Sequence, residues 1–422
     1  MTREKVDILI IGAGPAGLAA AIAAREDGIE SLLVLEREDY PGGILRQCIH
    51  NGFGLHRFKE ELTGPEYAQR DIDRANELGI EIECGTTVLS VSPERVVTCI
   101  SRKKGLRFLE AGAVILAMGC RERPRGALCT PGTRCAGIYS AGTAQRFVNL
   151  EGFMPGNRVV ILGSGDIGLI MARRMTLQGA KVLACVEIMP FSSGLNRNIV
   201  QCLQDYNIPL YLSHTVTDIS GRERLESVTV SQVDEKRRPI PGTEQVFECD
   251  TLLLSVGLIP ENELSIGAGV NLSPATSGAV VNDSFETSVP GIFACGNVLH
   301  VHDLVDFVSS ESFLAGHAAA SFVRSADQPA AFISVQDGEG VRGTVPQLIG
   351  LPASSSVSLM FRPSGVFRNC AAVVSCGEKE LLRRKAMIYT PGEMVSLTLK
   401  PEAMQGLDGT QPITVRIEKG GN

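Results

Sequence analysis

The first stretch of the chain combines two short apolar runs with one long alanine-rich segment. An apolar run at Ile8–Ile11 predicts a buried parallel strand, and it ends at the sequence GAGPAG. An alanine-rich helix is expected to follow to about Glu26. A second apolar run, Leu32–Leu35, then ends on the acid Glu36. The order of strand, glycine-rich turn, helix and strand predicts a βαβ unit.

The spacing of the glycines in this turn points to dinucleotide binding. Gly12 permits the tight turn, Gly14 lets the backbone approach a pyrophosphate, and Gly17 lets the helix pack closely on the strand. The N–H groups at the start of the helix attract negative phosphates. Glu36 stands where a carboxylate accepts hydrogen bonds from ribose hydroxyls. Strand, glycines, helix and terminal acid together predict a nucleotide site.

The same pattern returns at residues 157–187. A strand is expected at Val159–Leu162, the turn GSGDIG follows at 163–168, and a helix to about Leu177 leads into a strand that ends on Glu187. An acid at this position favours a free ribose 2′-hydroxyl and repels a 2′-phosphate, so it favours NAD(H) over NADP(H). Two such patterns predict a tightly held flavin in the first site and an exchangeable nicotinamide in the second, with hydride transfer between their rings.

Further apolar and alternating segments complete an α/β framework. Buried strands are expected at Ala113–Gly119, Asp250–Gly257 and Ser288–Asn297. Short strands of a small meander are expected at Ile80–Cys84, Thr87–Val91, Arg95–Ser101 and Arg107–Leu109. Helices are expected at Pro65–Leu78, at Gly137–Leu150 and from about Asp303 onward.

Composition and charge exclude several classes of protein. The chain is 44% hydrophobic and 21% charged with a net charge of −7, so nothing indicates binding to nucleic acid or to an anionic membrane. No run reaches the roughly 18 apolar residues of a membrane span. The start of the chain enters a strand without the cleavage region of a signal peptide. The twelve cysteines are spread along the chain without any CxxC, which predicts reduced thiols and a cytoplasmic location.

Cys48 is the candidate redox thiol. It follows the turn Pro41–Gly43, and the segment after this turn is expected to pass near the ring of a bound cofactor. The next cysteine along the chain is Cys84, so Cys48 has no near partner in sequence. The alternative is a packed, structural thiol.

The sequence HVHD near the last predicted helix offers a second candidate. His300, His302, Asp303 and Asp306 contain metal-ligand chemistry, but we expect no metal here. Asp303 is the expected N-cap of the helix. His302 is a candidate proton donor to flavin or substrate, and a structural hydrogen-bonding role is the alternative.

Residues 5 to about 325 resemble the two-dinucleotide-domain flavoproteins of the pyridine nucleotide–disulfide oxidoreductase superfamily. The matching pieces are GAGPAG with Glu36, ILAMG at 115–119, GSGDIG with Glu187, LLLSVGLIPE at 252–261 and TSVPGIFACGN at 287–297. The resemblance implies FAD in the first domain, with the NAD domain inserted into the FAD domain. It also implies that Gly296–Asn297 approaches the flavin ribityl chain, at a position where most relatives carry Asp rather than Asn.

The pattern and the resemblance together define a set of expected cofactor-binding residues. They are Gly12, Gly14, Pro15, Ala16, Gly17, Glu36, Gly43, Gly119, Gly163, Gly165, Ile167, Gly168, Glu187, Gly257, Gly296 and Asn297.

Four longer sequences resemble one subgroup of this superfamily. They are GGILRQCIHNGFG, AMGCRERPRGA, CAGIYSAGTAQ and GNVLHVHDLVDFVS. The subgroup includes large subunits of opine, sarcosine and proline dehydrogenases and hydrogen cyanide synthase, and in particular the flavoprotein associated with anaerobic glycerol-3-phosphate dehydrogenase. The resemblance implies a redox partner, either a small molecule or a protein such as a dehydrogenase or iron–sulfur subunit, in a homo- or hetero-oligomer.

The expected fold class is α/β. It comprises two Rossmann-like dinucleotide-binding domains of the three-layer ββα type, with the NAD domain inserted in the FAD domain, and a small C-terminal β-rich domain. The expected boundaries are 1–124 and 249–327 for the FAD domain, 125–248 for the NAD domain and 328–422 for the C-terminal domain. The last domain is expected either to contact a partner or to serve as structural cover.

The expected function is an FAD-dependent oxidoreductase that transfers electrons between NAD(H) and a second substrate or partner redox protein. Disulfide reductases of the superfamily carry two cysteines close together, and this chain does not, so no internal redox dithiol is expected. Three alternatives stay open: a thiol or peroxide reductase that uses Cys48 alone, an opine or amino-acid dehydrogenase subunit, and a non-catalytic scaffold subunit that holds flavin.

Overall fold

The computed structural model describes residues 3–325 and 330–419. These residues form two compact units. The first unit contains the residues up to Arg46, Asn51–Cys120 and those from Pro260 onward; the second contains Gln47–His50 and Arg121–Ile259. Along the chain, the second unit is therefore inserted in the first, as the resemblance to the superfamily implies.

The first part of the chain supplies most of one sheet and two helices. In order, its elements are β1 (Glu4–Ile11), α1 (Pro15–Glu26), β2 (Leu32–Leu35), β3 (Asn51–Phe53), β4 (Leu62–Thr63), α2 (Gly64–Glu77), β5 (Glu81–Glu83), β6 (Thr86–Val91), β7 (Val96–Ser101), β8 (Gly105–Leu116) and β9 (Cys120–Glu122).

The main sheet of the first unit has the strand order β5-β2-β1-β8-β7-β6. All four residues of β2 and the last four of β1 are buried, as expected for parallel strands covered on both faces. Strand β8 is antiparallel to β7 near its start and parallel to β1 along most of its length. One long strand therefore replaces the two separate strands predicted at Arg107–Leu109 and Ala113–Gly119.

The inserted segment supplies the second unit. Its elements are β10 (Ile138–Ser140), α3 (Ala141–Arg146), β11 (Arg158–Leu162), α4 (Asp166–Leu177), β12 (Lys181–Glu187), α5 (Asn196–Cys202), β13 (Leu210–Leu212), β14 (His214–Gly221), β15 (Leu225–Gln232), β16 (Gln245–Glu248), β17 (Thr251–Leu254) and β18 (Leu258–Pro260), the last of which crosses into the first unit.

A five-stranded parallel sheet, ordered β10-β17-β11-β12-β13, forms the centre of the second unit, and β14-β15-β16 form an antiparallel sheet. Strand β17 pairs with β10 and β11. The predicted boundary at 248/249 therefore falls before a strand that belongs to the second unit. At the other end, the second unit begins at Arg121 rather than at the predicted residue 125.

The chain then returns to the first unit with α6 (Glu263–Gly267), β19 (Ile292–Ala294) and α7 (Val305–Val323). Strand β19 pairs in parallel with the end of β8. Helix α7 packs directly on α1. The two helices approach so closely that a Cβ at Gly316 would lie 2.3 Å from the backbone oxygen of Ala20. The small alanine side chains of α1 permit this close approach. Within residues 3–325 and 330–419, no helix combines the length and the apolar character needed to cross a bilayer.

The C-terminal part of the first unit is rich in strands. Its elements are β20 (Ala331–Asp337), β21 (Val341–Val345), β22 (Leu348–Leu351), β23 (Val357–Pro363), β24 (Phe367–Cys376), β25 (Lys379–Tyr389), β26 (Val395–Leu399), α8 (Pro401–Met404) and β27 (Ile413–Lys419).

Two sheets, β22-β20-β27-β24-β25 and β21-β23-β26, enclose a separate apolar core in this C-terminal domain. The domain is also joined to the rest of the first unit. Val345 is fully buried in the core of the main sheet, and the side chain of Gln347 accepts a hydrogen bond of 2.9 Å from the Val281 N–H. The sequence prediction of a β-rich C-terminal region is confirmed. The predicted boundary at 327/328 lies outside the described residues.

A buried ion pair joins α2 to the loop after β3. Arg57 donates two hydrogen bonds to Asp71, of 2.7 and 2.6 Å, and the Asp71 side chain is 2% exposed. The guanidinium also lies over the rings of Phe58 and Phe313. Loss of one partner would leave a buried charge without compensation, which is costly in a low-dielectric interior.

We predict that Asp71→Asn lowers the free energy of unfolding by about 3 kcal/mol, because it leaves the Arg57 guanidinium without its counter-charge. Urea unfolding followed by circular dichroism measures this change. The matched control is Glu60→Gln, which removes an exposed ion pair with Arg70 and should leave the unfolding midpoint unchanged. Equal stability of the Asp71 variant and the wild type would contradict the prediction.

Candidate functional site

The first glycine-rich turn lies between β1 and α1. Gly12 has a φ of +105°, which favours glycine, and its N–H donates to the Leu35 oxygen at 2.8 Å. A Cβ at Gly17 would lie 1.8 Å from the Gly12 oxygen, so only glycine lets the helix start this close to the turn. The structure therefore gives both glycines the steric roles that the sequence predicts.

Gly14 is the N-cap of α1, followed by Pro15 at the first helical position and the buried Ala16. A Cβ at Gly14 would meet only the Gly43 Cα, at 3.9 Å, so the space beside this residue is open. A Cβ at Gly43 would lie 2.9 Å from the Gly14 Cα. Two backbone segments thus border one open space without side chains.

The start of α1 fits an anionic ligand. No side chain caps it, and its first turn contains no acidic residue. Its N–H groups and the positive end of the helix dipole therefore meet no competing negative charge from that turn. This arrangement and the open space beside Gly14 fit the pyrophosphate of a dinucleotide.

Glu36 holds the first turn through its side chain. It is 6% exposed, and its carboxylate accepts hydrogen bonds from the Ala13 N–H at 2.8 Å and the Glu38 N–H at 2.9 Å. A carboxylate has about four acceptor positions, so these bonds leave capacity for ribose hydroxyls. The strand-end acid therefore also shapes the turn itself.

Gly119, Gly296 and Asn297 belong to the same unit. A Cβ at Gly119 would meet nothing within 4 Å, whereas one at Gly296 would lie 2.8 Å from the Ala16 Cβ. The Asn297 amide donates to the Cys120 sulfur at 3.6 Å. The structure thus brings Gly296 against the start of α1 and Asn297 against the segment after β8.

The second glycine-rich turn, between β11 and α4, repeats the first. Cβ atoms at Gly163 and Gly168 would lie 2.0 Å from the Ser255 oxygen and 2.7 Å from the Ser255 Cβ, respectively. Gly165 is the N-cap of α4, whose first turn contains the half-buried Ile167. The Ser255 hydroxyl accepts a hydrogen bond of 3.1 Å from the Gly168 N–H. The sequence pattern does not identify Ser255 as a residue of this turn.

Glu187 matches Glu36 in position and in contacts. It is 5% exposed, and it accepts hydrogen bonds from the Ser164 N–H at 3.0 Å, the Ser164 hydroxyl at 2.6 Å and the Met189 N–H at 3.0 Å. Unlike the first helix, α4 has an acid, Asp166, in its first turn. The Leu195 N–H donates to that acid at 2.8 Å. Gly257 is exposed, and its oxygen accepts from the backbone of the same unit.

Cys48 lies in the second unit. Its sulfur is 3.8 Å from the Gln145 side-chain oxygen, and burial raises the pKa of the thiol to about 12. The group therefore stays protonated at neutral pH, whereas a redox-active cysteine requires the thiolate. His302, the other expected catalytic residue, lies in the first unit.

The segment before α7 differs from the sequence prediction. Leu304, rather than Asp303, is the N-cap of α7, and no side chain caps the helix. The Asp303 carboxylate instead forms an ion pair with Arg362 of β23 and accepts a hydrogen bond of 2.7 Å from the Met394 N–H. The predicted cap was wrong because the C-terminal domain supplies stronger, charged partners for this acid.

The four candidate metal-ligating residues, His300, His302, Asp303 and Asp306, do not form one cluster. Asp306 faces the loop after β3, where it accepts hydrogen bonds from the Gly54 and Arg57 N–H groups at 3.2 and 2.8 Å. His300 and His302 instead face Glu311 of α7, and one ligand atom from each of these three residues lies within 4.8 Å of the others.

The sequence interpretation missed Glu311. This residue lies inside a largely buried helix, where Asp306, Ser309 and Ser312 are also buried. A charged residue in such a stretch is rarely buried without a partner, and this was the available signal. Its partners could not be identified from periodicity, since they lie in a loop before the helix.

Comparison with known proteins gives relatives of the same architecture. The chain is 26% identical over 311 residues to an opine oxidase subunit of Agrobacterium tumefaciens, a match that covers 69% of this chain and 61% of that protein. It is 27% identical over 353 residues to the glutamate synthase [NADPH] small chain of Mycobacterium tuberculosis, covering 75% and 66%. The chain thus spans slightly less than two thirds of each relative.

Among solved structures, thioredoxin reductase of T. acidophilum superposes with a TM-score of 0.62 at 26% identity, covering 76% of this chain and 99% of that one. This likeness confirms the predicted α/β fold. The profile of the pyridine nucleotide-disulphide oxidoreductase family matches residues 6–325, about three quarters of the chain. The chain therefore belongs to this family of flavoprotein oxidoreductases, whose members bind FAD and use NAD(P)H.

Proposed function

We propose that this protein is an FAD-dependent oxidoreductase that transfers electrons between NAD(H) and a second substrate or partner redox protein, without an internal dithiol. The observation that carries the proposal is the duplicated turn, in which a buried glutamate at a strand end binds the backbone of a glycine loop. Each turn follows a parallel strand in the sheet of its own unit.

The first turn is assigned to FAD. The residues that would hold it are Gly12, Gly14, Pro15, Ala16, Gly17, Glu36, Gly43, Gly119, Gly296 and Asn297. FAD, when bound, supplies the electron-transfer chemistry. The chain's own residues bind the phosphates at the start of α1, present the Glu36 carboxylate to the ribose, and fix the Gly296–Asn297 backbone beside α1.

The second turn is assigned to NAD(H), through Gly163, Gly165, Ile167, Gly168, Glu187 and Gly257. Glu187 presents a negative charge where a 2′-phosphate would lie, so its repulsion disfavours NADP(H). The relative from Mycobacterium tuberculosis is named for NADPH, which makes coenzyme preference the sharpest test of this assignment.

The protonated state of the Cys48 thiol supports electron transfer without a redox-active cysteine. Because burial raises its pKa to about 12, the nucleophilic thiolate is scarce at neutral pH. A thiol or peroxide reductase based on Cys48 is therefore the weaker alternative. His302 is also buried, and its ring faces Glu311 rather than open space, so we assign it to the structure of the loop and not to proton donation.

The likeness to an opine oxidase subunit favours a second candidate, a subunit that oxidises an opine or amino acid and passes the electrons to a partner. The partner would be a small molecule or a protein such as a dehydrogenase or iron–sulfur subunit.

The cytoplasmic location also stays a prediction.

Anaerobic titration of the FAD-loaded protein tests the coenzyme assignment. We predict that NADH bleaches the flavin absorbance with a kcat/KM at least about tenfold above that of NADPH. Glu187→Ser should reduce this ratio, because it removes the charge that repels the 2′-phosphate. Faster reduction by NADPH would contradict the NAD assignment. Reduction by opines or amino acids, with neither coenzyme active, would favour the second candidate.

Thiol labelling tests the assignment of Cys48. We predict that iodoacetamide at pH 8 modifies the exposed Cys129 while Cys48 stays unmodified, because the Cys48 thiol remains protonated far above this pH. Mass spectrometry of peptides identifies the labelled sites. Cys48→Ser should retain NADH-dependent flavin reduction within about twofold of wild type. Loss of reduction in this variant would restore the single-cysteine mechanism.

A further inference from the structure

Helix α7 carries a buried acid that faces the loop before it. Glu311 is 3% exposed and lies in the first half of the helix, while His300 and His302 are 4% and 9% exposed. A buried carboxylate is costly unless it is hydrogen-bonded and its charge is compensated. The contacts of Glu311 therefore show which groups compensate its buried charge.

The Glu311 carboxylate joins the helix to the loop through both oxygens. Its Oε1 accepts a hydrogen bond of 2.7 Å from the Gly296 N–H. Its Oε2 lies 2.6 Å from His300 Nε2 and 3.2 Å from His302 Nε2. One side chain thus fixes the first residue of the loop and two residues near its end.

The loop is also closed on itself. The His302 N–H donates to the Asn297 side-chain oxygen at 3.0 Å, and Gly296 has a φ of +72°. Because a Cβ at Gly296 would lie 2.8 Å from the Ala16 Cβ, this residue abuts the start of α1. A shift of Glu311 would therefore be transmitted to the backbone beside the first glycine-rich turn.

The contacts of the ring nitrogens indicate which nitrogen carries the hydrogen. His300 Nε2 forms a hydrogen bond with the Glu311 carboxylate, while His300 Nδ1 and both ring nitrogens of His302 are buried without a hydrogen-bond partner among the described residues. A neutral ring with hydrogen on Nε2 donates to the carboxylate, whereas the other tautomer would place a lone pair against it. The geometry therefore requires the Nε2–H form at His300.

Glu311 keeps its negative charge in these surroundings. Burial opposes that charge, but the adjacent His300 and His302 outweigh it and hold the pKa of Glu311 well below its usual range. Burial lowers the pKa of His300, and the positive charge of Arg362 in the C-terminal domain lowers it further. Arg362 is itself paired with Asp303. The cluster is therefore an anion bound by N–H donors.

The contact between His300 and Glu311 is a hydrogen bond and not the spacing of two ligands on one metal ion. Two ligands of one tetrahedral zinc ion, each about 2.0 to 2.1 Å from the metal, lie about 3.3 Å apart. The distance of 2.6 Å between His300 Nε2 and Glu311 Oε2 is shorter than this and typical of a hydrogen bond to a charged acceptor.

We propose that Glu311 is a positioning residue of the FAD site: its carboxylate binds Gly296, His300 and His302 together and holds a negative charge beneath the loop that contacts FAD. The inference rests on the proposed assignment of FAD to the first turn. Reduction adds negative charge to flavin, so a buried anion close to the site lowers the flavin reduction potential.

Glu311→Gln tests both parts of this proposal while preserving the size of the side chain. The amide has one oxygen and one NH2 group, so it cannot accept from Gly296 on one side and from both histidines on the other. In the full-length protein, we expect the dissociation constant of FAD to rise about tenfold or more. We also expect a tenfold shift in the ratio of affinities for oxidised and reduced FAD, which raises the potential by about 30 mV for a two-electron couple.

The matched control is His317→Gln on the same helix. His317 is exposed and pairs with Asp27 at 2.7 Å, away from the buried cluster, so this variant should keep both quantities within about twofold of wild type. An unchanged FAD affinity and potential in Glu311→Gln would overturn the proposal. One equivalent of zinc in the wild-type protein that is lost in Glu311→Gln would also overturn it.

Nitrogen-15 NMR of histidine-labelled wild-type protein provides a test that depends neither on FAD nor on the folding of a variant. Of the six histidines, His300 should carry hydrogen on Nε2 and show a strong hydrogen bond to a carboxylate. Hydrogen only on Nδ1 of His300 would overturn the proposal. A wild-type protein that binds no FAD would instead refute the proposed function, and the histidine spectrum would then decide whether the cluster exists.

Discussion

The structure depends on bonds between buried carboxylates and the backbone N–H groups of tight turns. Glu36 and Glu187 each bind the residue after the first glycine of a turn, and a backbone N–H two residues beyond the acid itself. A turn that must approach a ligand closely has no side chains to hold it in shape. The neighbouring strand therefore supplies an anion to fix it, and the rest of each sheet fixes the anion.

The two turns are similar but not equivalent. The first has an open start of helix and a second backbone segment at Gly43. In the second, the Ser164 hydroxyl donates to Glu187 and the Ser255 hydroxyl accepts from the Gly168 N–H. A site without side chains encloses a ligand mainly by backbone contact.

Both turns could be predicted from the sequence because their determinants are local: an apolar run, glycines at fixed spacing and an acid about twenty residues later. The position of β17 in the inserted sheet could not be predicted, since it depends on pairing with β10 and β11, which lie far earlier in the chain. The contacts of Asp303 were also inaccessible, because its partner Arg362 lies in a different domain. Glu311 shows the same limitation, as its bond to Gly296 requires the loop to fold back over the helix.

The ion pair between Asp303 and Arg362 constrains how the sequence of such a chain can evolve. Arg362 also donates to the Val301 oxygen at 3.0 Å, so the C-terminal domain directly binds the loop that leads into α7. A shortened chain that ended near residue 325 would release this loop and expose the part of the main-sheet core that Val345 covers. The C-terminal domain cannot then be exchanged as an independent module. Its sequence is constrained by the geometry of the loop that leads into α7, with which Arg362 forms its contacts.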